Sequence, residues 1–336
     1  MKTKKHAVTI QDVARQAGVS VSTVSRVLNA KVDVAAETQE HILSVIEELG
    51  YTSNLAARSM RSRKNFLIGL IMPDIEYPFA VEIMKGVNRA VARSEFDLVV
   101  YTTGNVHKSE AASHEQHYIA LLNNSITDGV IIVAPAAASF ESDSPIVSID
   151  PHQVNLNYPC VHATNYQGAL SAMQYLIKLG HRRIGCIAGR PELESGKRRL
   201  SGYRDALETA KIPIDEALIV PGEFSEAKGI EAATKLLTMP DPPTAIFALN
   251  DQSAMGVYQA AEKLGVKIPD DLSVIGFDNI PESKYMEMTT VDQFLSKMGF
   301  LAAEMVIKLI NHEEIESQIL KIPTELVIRK SCRAIT

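Results

Sequence analysis

Arg26 stands four residues after Ser22, and Ser25 four after Val21, so in a helix all four fall near one face. Each is a residue type with a use against a nucleic-acid duplex. A guanidinium can give two parallel hydrogen bonds to a guanine edge, worth about 1–3 kcal/mol of discrimination, while a valine packs on a thymine methyl and the hydroxyls suit phosphates or base edges. A second group is scattered but shares a placement just after short β-branched runs. Asp74, Tyr77 and Phe79 follow 67–72, Asp150 follows 146–149, the stretch Arg190 to Arg199 follows 184–188, Asn250-Asp251 follows 245–248 and Asp278-Asn279 follows 274–277. Carboxylates, amides, a guanidinium and aromatic faces brought together suit a polyhydroxylated ligand, because each hydroxyl both donates and accepts while the ring face stacks on an aromatic ring.

Positioning the first group requires short helices. Ile10, Val13, Ala14 and Ala17 recur at helical spacing, Gly18 interrupts them, and Val24, Val27 and Leu28 resume an apolar stripe, with Ser20 placed to cap the second helix. Two helices around a short Gly-containing turn form the helix-turn-helix layout, whose second helix enters the major groove. A third helix carries Ile42, Val45, Ile46 and Leu49 on one side and stops at Gly50. The second group requires parallel sheets. Apolar runs at 67–72, 98–101, 130–133, 146–149, 184–188, 245–248 and 274–277 alternate with helical stretches, the pattern of doubly wound α/β units. There are too many runs for one six-stranded sheet, so two halves are expected, with the tail from Thr290 returning to complete both and a cleft at the carboxyl ends of the strands.

Charge divides the chain in the same place. The first 64 residues hold ten Lys/Arg against six Asp/Glu, whereas the whole chain is −6, so the remainder carries −10. A basic module joined to an acidic one directs phosphate binding to one end. Four of the basic residues, Arg58, Arg61, Arg63 and Lys64, fall in 54–64, a stretch without an acid. At 336 residues and 46% hydrophobic, the chain can form two or three cores, and no apolar run approaches the roughly 20 residues of a membrane span. The basic start Met1-Lys-Thr-Lys-Lys5 is not followed by the ~7–15 apolar residues of a signal peptide, so a cytoplasmic location is expected. Cys160, Cys186 and Cys332 share no metal-type spacing and read as small buried hydrophobes in a reducing compartment.

The string Thr9-Ile-Gln-Asp-Val-Ala-Arg-Gln-Ala-Gly-Val-Ser-Val-Ser-Thr-Val-Ser-Arg-Val-Leu-Asn29 resembles the amino-terminal domain of the lac repressor (LacI/GalR) family of bacterial transcription regulators. The resemblance continues through Glu48-Leu-Gly-Tyr51, Asn54-Leu-Ala-Ala-Arg-Ser-Met60 and Ile68-Gly-Leu-Ile-Met-Pro-Asp74, and covers almost the whole chain. It implies a helix-turn-helix head over 1–52, a hinge helix over 53–64, and an effector-binding, dimerising core over 65–336 that is similar to periplasmic sugar-binding proteins. The implied lobes are about 65–161 with 290–318, and about 162–289 with 319–336. Contacts with DNA are implied for Thr9, Val21, Ser22, Thr23, Ser25, Arg26 and Asn29 in the head, and for Asn54, Ala57 and Met60 in the hinge. Met60 stands where the family places an apolar wedge that enters a base step in the minor groove. Arg199, Asn250 and Asp278 match effector positions and Phe224 a stacking position, with Asp74, Tyr77, Phe79, Asp150 and Arg190 completing the cleft set. Asp150 reads equally as a strand-end turn residue, and Asp74 as a cap for a helix beginning near Pro78. Ala35, Gln39 and Ser53 depart from the family's usual Ser, Arg and Pro, removing a phosphate contact or some hinge rigidity.

The implied partners are a pseudo-palindromic double-stranded operator, a second copy of the chain and a small-molecule effector. A sugar is expected over a purine, from the polar cleft and the context Arg190-Pro-Glu-Leu-Glu-Ser195. No leucine heptads follow the last strand pattern, so a dimer is expected rather than a tetramer. Enzyme readings fail on spacing. In the segment from Gly189 to Arg198 six residues separate the two glycines instead of four and Arg198 replaces the hydroxyl a phosphate loop needs, and no Gly-x-Gly-x-x-Gly follows the first strand. His107, His114, Glu115 and His117 fall on an expected exposed helix with no Cys or second carboxylate cluster nearby. No cofactor or metal is expected.

Overall fold

The computed structural model describes residues 8–28, 34–49, 64–104, 111–123, 126–153 and 156–335. The expected hinge contacts Asn54, Ala57 and Met60, together with Asn29 of the head, lie outside them. The chain divides into two compact units, Met1–Phe66 and Leu67–Thr336.

The first unit contains α1 (Ile10–Gln16), α2 (Val21–Leu28) and α3 (Ala36–Leu49). At the start of α1 the Thr9 hydroxyl accepts from the Asp12 N–H, and the Asp12 carboxylate takes the Thr9 N–H at 2.9 Å, a reciprocal capping box. Hydrogen bonds from Thr9 hold the Asp12 carboxyl below the usual carboxylate range. Gly18 adopts φ +65° between the helices, a conformation open to glycine at no steric cost. Val13, Ala14, Ala17, Val24, Val27, Ile42 and Val45 then close a small core from all three helices.

The second unit holds two six-stranded sheets. The first is built from β1 (Leu67–Met72), β2 (Asp97–Thr102), β3 (Gly129–Val133), β4 (Ile146–Ile149), β5 (Cys160–Ala163) and β11 (Ile319–Ile322), in the order β11-β5-β4-β3-β1-β2 and parallel throughout. The second contains β6 (Ile184–Ala188), β7 (Ile219–Pro221), β8 (Ala245–Ala248), β9 (Ser273–Asp278), β10 (Thr289–Asp292) and β12 (Glu325–Val327), ordered β12-β10-β9-β8-β6-β7, with only β12 antiparallel. Helices α4 (Pro78–Val91), α5 (Ala111–Leu122) and α11 (Leu295–Ile310) pack on the first sheet. Helices α6 (Asn165–Lys178), α7 (Glu194–Thr209), α8 (Glu226–Leu237) and α9 (Asp251–Leu264) pack on the second, and α10 (Pro281–Tyr285) follows β9.

Sheet membership moves the lobe boundaries from those read in the sequence. β5 and β11 pair within the first sheet and β10 pairs with β9, so the chain crosses after Ala163, after Asp292 and after Ile322 rather than at 161, 290 and 318. The physical reason is register: a strand leaves its sheet only once its ladder is complete, and the Asp292–Asp278 and Ile322–Ala163 pairs are the last rungs. Helix α5 also differs from the exposed helix expected. Its Glu115 is 7% exposed and accepts the backbone N–H groups of Ala136 and Ala137, and Ile119 and Leu122 are buried. Burial pushes the Glu115 carboxyl up. Its two bonds tie the carboxylate to the backbone, and His107 lies outside the described residues.

Helices α4 and α11 approach so closely that no side chain fits between them. A Cβ at Gly299 would run into the Ile83 carbonyl oxygen, and one at Gly86 into that of Ser296. Gly299→Val is therefore expected to destabilise the core by about 3 kcal/mol or more, because overpacking against rigid backbone has no easy relaxation. Urea unfolding of the full chain checks this, a change below about 1 kcal/mol contradicting it.

Candidate functional site

The second helix of the head presents the expected residues outward. Val24 and Val27 are buried in the three-helix core, which leaves Ser22 and Arg26 exposed and Val21, Thr23 and Ser25 half-buried beside them. Ser20 starts this helix by accepting the Thr23 N–H at 3.1 Å, as its position in the sequence implied. Its hydroxyl also bonds those of Ser22 (2.7 Å) and Thr23 (2.8 Å), so these two hydroxyls are oriented through the cap. Thr9 is engaged in the capping box of α1. The sequence reading missed that role, though the pattern Thr-x-x-Asp carries its signal.

In the core, the strand ends of both sheets meet at a cavity of about 200 Å³, in which eight of the nine expected cleft residues converge: Tyr77, Phe79, Asp150, Arg190, Arg199, Phe224, Asn250 and Asp278. Asp74 does not reach it. Its carboxylate accepts the Glu76 N–H at 3.1 Å in a local turn, and it does not cap α4 either, whose N-cap is Tyr77 followed by Pro78. Asp251 and Asn279 also turn away. Asp251 is wholly buried and accepts from the Ile280 N–H (3.0 Å), the Thr290 hydroxyl (2.6 Å) and the Ser283 hydroxyl, while Asn279 bonds Asp292 and Arg329.

Arg199 occupies the centre. It is 3% exposed, extends from α7, and donates from Nε to Asn165 Oδ1 (2.8 Å) and from Nη1 to the Leu249 carbonyl (2.6 Å) and Asp278 Oδ1 (3.2 Å). Its guanidinium carbon lies 3.8 Å from the centre of the Phe277 ring and 5.6 Å from that of Phe224. Asp278 Oδ1 also accepts from Gln293 Nε2 at 2.5 Å, and Asp278 lines the cavity. Burial pushes the Asp278 carboxyl up and the Arg199 guanidinium opposes it. Such a pair is costly to desolvate and is stable only with its remaining hydrogen bonds satisfied. Asn165 and Gln293, which supply them, escaped the sequence reading. Both follow strands, β5 and β10, that were too short and too polar to be recognised; the rule that cleft residues follow strands would have found them.

The aromatic wall is held by backbone geometry. Glu223 and Phe224 adopt φ +53° and +60°, and Asn250, the N-cap of α9, donates from its amide to the Phe224 carbonyl at 3.1 Å while accepting the Ser253 N–H at 3.0 Å. The Phe224 ring lies against Gly189, where any Cβ would collide with it. Arg190 is partly exposed, 3.9 Å from Glu192. The wall also contains Ser195, Gln252 and Glu223. Among the described residues no group of three His, Cys, Asp or Glu is placed to hold a metal ion.

Comparison with known proteins agrees with this arrangement. Residues 9–54 match the family described as bacterial regulatory proteins, lacI family, and residues 173–332 match the periplasmic binding protein-like domain. Over 96% of its length the chain is 35% identical to the HTH-type transcriptional regulator DegA of Bacillus subtilis (strain 168), of which it covers 97%. The chain belongs to the lacI family. It is also 32% identical to catabolite control protein A of Priestia megaterium, covering 97% of this chain and 99% of that one. Among solved structures, a lac repressor dimer bound to operator and the anti-inducer ONPF superposes with a TM-score of 0.83 at 25% identity, over 98% of this chain and 100% of that one. A complex of the transcriptional regulator CelR with cellobiose matches at 29% identity and a TM-score of 0.69, over 96% and 99%. This lacI-family chain is thus a DNA-binding transcriptional regulator rather than an enzyme, and no helix among its described residues is long and apolar enough to cross a membrane.

Gly189→Ala forces the Phe224 ring, which packs at the edge of the second sheet's core, off its seat. Small-molecule binding in the cleft is expected to weaken by about tenfold with a near-unchanged melting temperature. Calorimetric titration with the tightest cleft ligand and a melting curve on the same sample check this; unchanged affinity contradicts it.

Proposed function

We propose that the chain is a cytoplasmic repressor that binds a pseudo-palindromic operator as a homodimer and responds to a sugar in the cleft of its core. The observation that carries the sugar reading is the site itself: a buried, hydrogen-bonded Arg199–Asp278 pair beside an aromatic face at Phe224, with side chains that both donate and accept around them. Sugar hydroxyls use such groups in both directions, and the apolar ring face uses the aromatic one. Relatives add support, since one solved relative is a complex with cellobiose, another has bound ribose, and a further relative is the ribose operon repressor of Haemophilus influenzae. A purine is the second reading. The stacking face of Phe224 and relatives named PurR at 32–33% identity favour it.

Thr9, Val21, Ser22, Thr23, Ser25 and Arg26 form the DNA surface of this proposal in the head, extended by Asn29 and by Asn54, Ala57 and Met60 of the hinge. Arg26 reads a base edge, and the hydroxyls address phosphates or bases. In the core, Tyr77, Phe79, Asp150, Arg190, Arg199, Phe224, Asn250 and Asp278 contact the effector. The chain crosses between the two sheets beside this cleft, and three such crossovers are a hinge about which the lobes close. A ligand drives that closure only through a difference in its affinity for the open and closed states. Closure then acts on residues 53–64, the hinge of this proposal.

Differential scanning fluorimetry against sugars, sugar phosphates and purines tests the effector class, the expected result being a rise in melting temperature with sugars. A rise with purines alone contradicts the reading. Arg26→Ala is expected to cost operator affinity about tenfold while affinity for random DNA falls far less; equal losses on both contradict base reading. In gel shifts, Arg199→Ala keeps operator binding and loses the response to effector, and a normal response contradicts the cleft assignment. The same substitution leaves Asp278 buried without its cation, so a loss of about 3 kcal/mol of stability is expected alongside.

A further inference from the structure

A second cavity, of about 120 Å³, adjoins the first, and Asp150 and Ser195 form part of the wall of both. It lies toward the crossovers, between β5, β11 and the starts of α6 and α7, where His162, Asn165, Arg198 and Lys321 line it. Asp150 stands at the junction under unusual conditions. Its residue is 8% exposed, its backbone is at φ +49°, and the hydrogen bond its carboxylate accepts, from Asn165 Nδ2, is 3.5 Å long. A carboxylate has lone pairs for about four donors, and a buried one left short of them costs free energy. Asp150 is thus an acceptor held between two chambers with capacity for donors from a ligand.

The charges around the second chamber decide what kind of ligand. Arg198 Nε is committed to Glu194 at 2.8 Å, and Lys321 faces the same space as Asp150, so two cations are matched by two carboxylates. A phosphate there would lie beside both Asp150 and Glu194 and be repelled. Neutral hydroxyls, which donate to the carboxylates and accept from Arg198, Lys321 and His162, match the lining, and Leu156 and Ile319 offer apolar surface to the carbon face of a ring. The main cavity, of about 200 Å³, by itself has room for one sugar ring.

We propose that the effector consists of two linked sugar rings, one against Phe224 in the main cavity and the other in the chamber beside the crossovers, with the linkage passing between Asp150 and Ser195. The proposal rests on the sugar reading above and makes it narrower. The second chamber sets specificity, because a ring placed there touches β11 of the first sheet and α7 of the second and so senses both lobes.

Calorimetric titration of the full chain with glucose, galactose and ribose, with cellobiose, maltose and lactose, with glucose 6-phosphate, and with guanine and hypoxanthine tests this. A disaccharide is expected to bind at least about tenfold more tightly than its own component monosaccharides. In the Gln153→Ala/Lys321→Ala double variant, changed only at exposed positions of the second chamber, that advantage falls to within about threefold and monosaccharide affinity stays the same. Ile319→Trp, which crowds the chamber from an exposed edge-strand position, gives the same loss, and a melting curve confirms that each variant is folded. Equal binding of mono- and disaccharides, tightest binding of glucose 6-phosphate, or an advantage that survives both variants overturns the two-ring proposal and leaves the sugar reading standing. Binding of purines alone overturns both.

Discussion

A guanidinium that is 3% exposed is stable only with partners for its charge and donors, and the core of this protein is arranged around supplying them to Nε and Nη1 of Arg199. Its partners arrive from separate parts of the chain: Asn165 from the crossover that follows β5, the Leu249 carbonyl from the end of β8, and Asp278 from the end of β9. Gln293, at the next crossover, bonds the same carboxylate oxygen of Asp278. The pair thereby joins two crossovers to two strand ends. Phe277 beneath the guanidinium and Phe224 beside it complete a site that is rigid on one wall before any ligand enters. Preorganisation of that kind lowers the ordering cost of binding and gives hydroxyl-bearing ligands defined donors and acceptors.

The first-sheet wall is built differently. Asp150 accepts one hydrogen bond, 3.5 Å long, so this wall retains acceptor capacity there. A ligand that satisfies Asp150 while stacking on Phe224 interacts with both lobes at once, and its affinity then depends on how far apart they stand. That dependence is the differential affinity any ligand-driven switch requires. The tight glycine contact of α4 with α11 packs these two helices of the first lobe backbone against backbone.

Much of this was legible in the sequence wherever a single local rule governed the outcome. The runs 67–72, 146–149, 184–188 and 245–248 became strands with the same bounds, because apolar β-branched residues buried on both faces of a parallel sheet leave a continuous signal. The short strands β5, β7, β10, β11 and β12 carried no such signal. β5 contains His162, β10 reads Thr-Thr-Val-Asp, and β11 lies at a half-exposed edge, so tertiary pairing rather than composition makes them strands. The lobe boundaries moved for the same reason. Among cleft residues, Arg199 and Asp278 followed recognisable strands and Phe224 came from the family resemblance alone, whereas Asp74 was misplaced because its carboxylate finds a partner two residues away in Glu76. Local capture of this sort is common for Asp in turns and is invisible until the backbone is seen. Gln252 became recognisable only when the strand ends were assembled.

The central claim is that occupancy of the cleft and affinity for operator are two readings of one equilibrium. Linkage requires the two to be reciprocal: if the ligand changes operator affinity by some factor, operator must change ligand affinity by the same factor. The direct measurement is a titration of the best-binding disaccharide into the free protein and into its operator complex, beside an operator titration with and without that sugar. The account predicts equal factors, of about fivefold or more, in the two experiments. A sugar that binds the operator complex and the free protein with the same affinity would contradict it.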